Sequence, residues 1–240
     1  MAFQTVFKRY EIKFLITAEQ KNRITEAVKP YVKPDEYGRC VIRSVYFDTD
    51  NYRLARRSAE KPAYKEKLRV RSYQKAEPDS TVFAELKKKY QSVVYKRRVA
   101  LQARDAMVWL SGEKNCPFRN QITDEIDYFV GYYETLRPAA FLSCEREAFN
   151  SPDGSHLRIT FDRQLLCRTY DLSPEYGVYG EALLPPETEL MEIKCAGGIP
   201  LWLTAILSAE HIYKTSFSKY GTAYAALILP KLTKETALYV

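Results

Sequence analysis

The sequence predicts an α+β fold: eight antiparallel β-strands that close into a barrel, with helices packed outside. Three observations lead there. Eight segments mix β-branched or aromatic residues with charges at alternating positions, the period of a strand. Several connections between consecutive charged segments are short, which suits antiparallel pairing. Eight strands is also a size at which a sheet can close on itself, an open sheet with one wet face being the alternative.

In chain order the strands are expected at residues 5–15, 41–48, 63–73, 81–90, 93–100, 140–149, 156–163 and 189–195. Between them lie the helices. Thr17 and Gln20 form a capping box that opens a helix to about Tyr31. Asp50 is expected to cap a short helix through residue 59, and residues 102–111 read as helical. Acids in the first turn and Pro138 as a stop bound a helix over 123–137. Pro200 opens a helix over 200–209. The segment 215–218 opens a last helix to about Leu229, ended by Pro230.

Composition narrows the chemistry. The 240 residues, 46% hydrophobic and 28% charged, can bury a real core and are expected to form a single domain over 1–240. The 37 Lys and Arg against 30 Asp and Glu give a net charge of +7, which permits an anionic partner without choosing one. Only 9 Gly are present, and neither GxxxxGK[ST] nor GxGxxG occurs, so a Gly-rich phosphate loop is excluded. The five Cys are widely spaced with no CxxC, which supports neither a zinc site nor a disulfide framework. Only His156 and His211 exist, a poor basis for a histidine-dependent nucleophile, and both read as surface or cap residues. Charge in the first residues argues against a signal peptide, and reduced thiols suit a cytoplasmic location.

The strands share one unusual trait. Arg9, Glu11 and Lys13 fall on one face, opposite Tyr10, Ile12 and Phe14. Lys65, Lys67, Arg69 and Arg71 share a face, as do Phe83, Glu85, Lys87 and Lys89, then Lys96 and Arg98. Arg146 lies on one face of the sixth strand; Arg158, Thr160 and Asp162 align in the seventh, and Glu192 and Lys194 in the last. A solvated face explains any one strand. It explains seven less well, because solvation would mix the signs and here the cations dominate. If the charged face turned inward it would need a polyanion and water to be tolerable. The bore would then bind several phosphates, with carboxylates left to hold a divalent metal.

Motifs add a resemblance. EIK at 11–13, KLRVR at 67–71, ELK at 85–87 and EIK at 192–194 resemble the CYTH-like triphosphate tunnel metalloenzyme superfamily. FKRYEIKFL, SVYFDT, KLRVRSY, ELKKKYQSVVYKRR, CEREAF, LRITFD, MEIKC and SFSKY are more closely similar to the VTC polyphosphate-polymerase domain, from about residue 7 to 225. The resemblance implies an eight-stranded antiparallel triphosphate tunnel that uses ATP or another nucleoside triphosphate with Mn²⁺ or Mg²⁺. It implies Lys13, Arg69, Arg71, Arg146, Arg158 and Lys219 at the reacting phosphates. Lys67, Lys87, Lys96, Arg98, Lys194 and Ser218 would bind the substrate's other phosphates, the register of Lys96 and Arg98 being open. Glu192 matches the metal carboxylate, with Glu11 and Glu85 as supporting acids.

Two positions depart from the pattern. Arg9 stands where the wider superfamily has the first Glu of Glu-x-Glu-x-Lys, which argues against the simple hydrolases. Ser216 stands where polymerase-type domains often have a basic residue, with Lys214 two positions earlier. The leading expectation is therefore ATP-dependent polyphosphate synthesis. A tunnel triphosphatase and a non-catalytic polyphosphate or nucleotide sensor are the alternatives. Inorganic polyphosphate is an expected partner, specific nucleic acid is not, and a separate membrane protein would hold the chain peripherally at the inner face of the membrane.

Overall fold

The computed structural model describes residues 6–60, 62–91 and 93–237, with side chains between 10 and 233. Residue 5, the expected start of the first strand, and the Arg9 side chain lie outside what is described. The strands are β1 (Val6–Thr17), β2 (Lys33–Pro34), β3 (Cys40–Asp48), β4 (Tyr64–Ser72), β5 (Thr81–Tyr90), β6 (Val93–Gln102), β7 (Arg137–Asn150), β8 (Arg158–Arg168), β9 (Glu181–Ala182) and β10 (Thr188–Cys195). They form one antiparallel sheet in the order β2-β7-β3-β4-β5-β6-β1-β10-β8-β9, and β7 also pairs with β8. That last pairing joins eight strands into a continuous ring. The two-residue strands β2 and β9 lie against β7 and β8 outside it.

The apolar faces of the strands point outward under helices. Val45, Phe47, Leu68, Val70, Ala84 and Leu86 pack with Trp109 of α3 (Ala103–Leu110) and with Ile126 and Phe129 of α4 (Gln121–Tyr133). On the opposite side, Phe14, Ile16, Ile159, Phe161, Met191 and Ile193 pack with α1 (Ala18–Val28) and α5 (Leu201–Ala209). The charged faces therefore point inward. A third cluster joins Tyr46, Ala140 and Leu142 to Tyr220, Ala223 and Tyr224 of the C-terminal helical segment, which covers part of one end of the ring.

Local chemistry explains where the helices begin and end. Thr17 and Gln20 form the expected capping box of α1. The helix α2 (Arg53–Ala59) is not capped by Asp50, which pairs with Arg137 at 2.8 Å. The buried Asp48 carboxylate accepts from the Leu54 and Ala55 amides instead, each at 2.9 Å. α4 starts at an Asn120 capping box and ends at Tyr133, where Glu134 adopts φ 58°. Pro138 thus stops no helix; it lies in β7 beside an irregularity in the β3 register, where a missing N–H is tolerated. At the C-terminus α6 (Lys219–Ala223) runs through a π-helical turn at Tyr224–Ile228 into α7 (Leu229–Ala237). Pro230 sits in the first turn of α7 and so does not end the helix. No helix among the described residues is long and apolar enough to cross a membrane.

Candidate functional site

The ring encloses a cavity of about 1340 Å³. Its lining holds twelve basic residues, from Lys13 on β1 to Lys219 on α6, and two acids, Glu11 and Glu192. The ladder sets their spacing. Lys67 on β4 lies opposite Lys87 on β5, which lies opposite Lys96 on β6, so three lysines form one rung. Lys65 and Lys89 make the neighbouring rung. Like charges directly opposite one another destabilise a sheet.

Buried acids hold part of this charge in place. The Glu85 carboxylate, fully buried in the wall, accepts from Arg69 Nη2 at 2.7 Å and Nε at 2.9 Å, with Lys96 at 3.3 Å and Arg71 at 3.8 Å. Arg69 also donates to the Tyr46 hydroxyl at 2.8 Å, which fixes its fork. Asp162 takes Arg146 in a bidentate pair at 2.5 and 2.6 Å and Lys219 at 2.5 Å. Glu192 faces Lys194 at 2.8 Å, Lys219 at 3.0 Å and Lys13 at 3.6 Å, while Glu11 pairs with Lys87 at 2.5 Å.

The start of α6 closes one wall. Ser218 caps the helix, accepting from the Gly221 amide at 3.0 Å and from Lys67 Nζ at 2.5 Å. Lys13 Nζ donates to the Phe217 carbonyl at 2.8 Å. Tyr220 points away from the cavity, stacks on Tyr46 and donates to Asp48 at 2.8 Å. Asp48 thereby ties α6 to α2, and Lys219 and Ser218 at the start of α6 line the charged cavity.

Desolvation and neighbouring charge compete over every group here. Burial alone would raise the Glu192 carboxyl; Lys194, Lys219 and Lys13 overcome it and hold it well below the usual range. Arg71, Arg69 and Lys96 do the same for Glu85. Lysines whose burial outweighs their acids move the other way. Burial, then the charges of Lys13 and Lys87, pushes Lys67 well down. Burial brings Lys96 to about 7, with Glu85 opposing the shift and Arg71 and Arg69 adding to it. Lys13 falls to about 8 for the same leading reason. Lys219 is the exception, because Asp162 and Glu192 outweigh its burial and raise it.

Twelve of the fifteen residues named from the sequence line the cavity: Glu11, Lys13, Lys67, Arg69, Arg71, Lys87, Lys96, Arg146, Glu192, Lys194, Ser218 and Lys219. Three stand elsewhere. Arg158 lies near the end of β8 and reaches Asp35 at 2.9 Å instead of the cavity. The Arg98 guanidinium lies over the Phe83 ring, 4.8 Å from its centroid. Glu85 is enclosed by cations and does not reach the lining, which corrects its reading as a supporting metal ligand. The sequence places Lys65, Lys89 and Asp162 on the charged faces and notes Lys214, but assigns none of them a site role; Lys65, Lys89 and Lys214 line the cavity with Ser58, which it passes over, and Asp162 orients Arg146 and Lys219. The alternation that singled out Lys67 places Lys65, Lys89 and Asp162 on the same inward face. Ser216 lines the cavity, and so does Lys214, so a basic residue is present near the departing position.

The donor set limits how a metal could be held. Among the described residues no group of three or more His, Cys, Asp or Glu could hold an ion. The lining fits a hard divalent cation on Glu192 that takes its remaining ligands from phosphate oxygens and water, the usual arrangement for Mg²⁺. It does not fit an all-protein cage.

Known structures share the architecture. A candidate adenylate cyclase of Bacillus halodurans aligns with a TM-score of 0.55 at 16% identity, covering 90% of this chain and 96% of that one. A candidate adenylyl cyclase of Hippeastrum, described as having a dominant triphosphatase activity, aligns with a TM-score of 0.56 at 14% identity, covering 92% and 98%. At such identities the likeness is one of fold. No curated protein matches the chain. The sequence profile of the VTC domain matches residues 8–228.

Proposed function

Because this chain belongs to the VTC domain family, we propose that it is a metal-dependent phosphotransferase that extends inorganic polyphosphate from ATP inside the cavity of its eight-stranded tunnel. The whole chain acts as one domain in this reading. The observation that carries it is the rung of Lys67, Lys87 and Lys96, backed by Arg69, Arg71 and Arg146. Such a rung is costly when empty and favourable around a row of phosphates.

The reaction asks for position and charge more than for covalent help. A terminal oxygen of the acceptor chain, already ionised near neutral pH, attacks the γ-phosphorus of ATP. The new P–O bond forms as the bond from that phosphorus to the β–γ bridging oxygen breaks, and ADP leaves with the electron pair. No proton needs removing, so the lack of histidine in the cavity is no obstacle. Arg69 and Arg146, fixed by Glu85 and Asp162, present preset guanidinium forks to the transferring group. Lys219 and Lys13 flank it and take up developing charge. Glu192 would hold a divalent ion, which when bound would supply charge neutralisation at the phosphates.

The test is product identity. Incubation with ATP and Mn²⁺, followed by electrophoresis stained for polyphosphate, should give a lengthening ladder with ADP. Free phosphate with ADP and no ladder would select a triphosphatase. ATP binding without ADP under any divalent metal would select a sensor.

A further inference from the structure

Beyond the central grip, one mouth of the cavity is itself built for an anion. Lys65 and Lys89 form the outermost lysine rung, one pleat repeat beyond Lys67 and Lys87 on the same inward face. The last turn of α2 brings Ser58, which is 5% exposed and lines the cavity, and whose buried hydroxyl has no hydrogen-bond partner. Lys65 Nζ lies 3.5 Å from the Ser58 backbone carbonyl oxygen, which places the lysine beside this residue. Lys89 makes no ion pair among the described residues. Thr222 and Ala225 of the C-terminal segment also line the cavity.

A buried orphan hydroxyl beside two inward ammonium groups has a physical cost unless a ligand oxygen satisfies it. We infer that Ser58, Lys65 and Lys89 form a separate subsite at this mouth that binds a phosphate group of a chain longer than a triphosphate. The inference rests on the polyphosphate reading above and adds to it where the distal part of the chain lies. Triphosphate is held by the central cations and does not reach the mouth. A longer chain spans both, and gains contacts there.

The experiment compares affinities by calorimetry for tripolyphosphate and for long-chain polyphosphate on the full chain. The wild type should bind the longer chain more tightly per molecule. In Lys65→Ala/Lys89→Ala the ratio of the two affinities should fall about tenfold, the size of one charge-assisted contact. Ser58→Ala, a smaller change that removes a hydroxyl without a hydrogen-bond partner, should lower the same ratio in the same direction. Because the readout is a ratio, general loss of folding lowers both affinities and does not imitate the result. A wild-type ratio of one, or a ratio that both variants leave unchanged, overturns the subsite while leaving the central reading intact. Binding of neither ligand by the wild type overturns both.

Discussion

The Lys219 ammonium lies 3.0 Å from Glu192 Oε1. An ammonium thus does part of what a divalent cation would do at this carboxylate. Glu192→Gln removes the charge and frees three lysines for phosphate. Tripolyphosphate binding in the presence of a chelator should tighten, and Mn²⁺-dependent ADP release should disappear. Wild-type rates with this variant would remove Glu192 from the metal assignment.

Glu85 is the buried counter-charge of the wall, and removing it strands three cations. Glu85→Gln should destabilise the protein by about 3–5 kcal/mol, seen as a lowered thermal midpoint, because a buried charge left unpaired costs more than the pair gains. Its folded carboxyl titrates well below the ordinary 4.5. The stability it contributes is fully present above that value and is lost as pH falls toward the folded one. Acid melting of the wild type should therefore steepen below about pH 4.5, and in Glu85→Gln that component should be missing.

Burial brings Lys96 down to about 7 and lowers Lys67 as well, so both give up their protons more readily than an exposed lysine. Phosphate oxygens restore the ammonium form. Tripolyphosphate binding at pH 8 should take up protons, detected as a binding heat that varies with the ionisation enthalpy of the buffer. The unfolded chain binds more protons than the folded one between about 7 and the ordinary 10.5. Stability of the ligand-free protein should therefore gain from these groups as pH rises through that window. Equal heats in all buffers would contradict the shift.

The Tyr220 hydroxyl on Asp48 is the fixing point of the wall that carries Ser218 and Lys219. Tyr220→Phe keeps the stack on Tyr46 and loses one hydrogen bond, worth about 1 kcal/mol of stability. The larger effect should be on turnover, because Lys219 sits one residue away. A lower kcat in a variant that melts within a few degrees of wild type is the expected result. Unchanged kcat would confine Tyr220 to folding.

Much of the site could be read in the sequence because strand alternation has a fixed period. Lys67, Arg69 and Arg71 must share a face wherever β4 lies, and the same holds for Glu192 and Lys194. Depth along the ring is another matter. Arg158 shares a face with Asp162, yet only Asp162 reaches the cations of the cavity, since the register of β8 against β7 sets Asp162 opposite Arg146 and Arg158 opposite Asn150. Glu85 shows the other limit. Alternation aims it inward, but three basic side chains cover it, and coverage depends on partners from β4 and β6. The helix starts failed where the cap is not adjacent: Asp48 reaches over five residues to α2, while nearby Asp50 turns to Arg137.

The ring has a consequence for how the molecule assembles. β1 lies between β6 and β10, so the first strand of the chain gains its second neighbour only after residues 188–195 are made. Until then the growing sheet has open edges at β1 and at β8, and each exposes unpaired backbone groups. Closure joins contacts of very long sequence separation, which slows folding and places the rate-limiting step late. Emerging chains should therefore depend on chaperones more than a sheet of local hairpins would. A deletion of β10 should produce aggregation, not a smaller soluble domain.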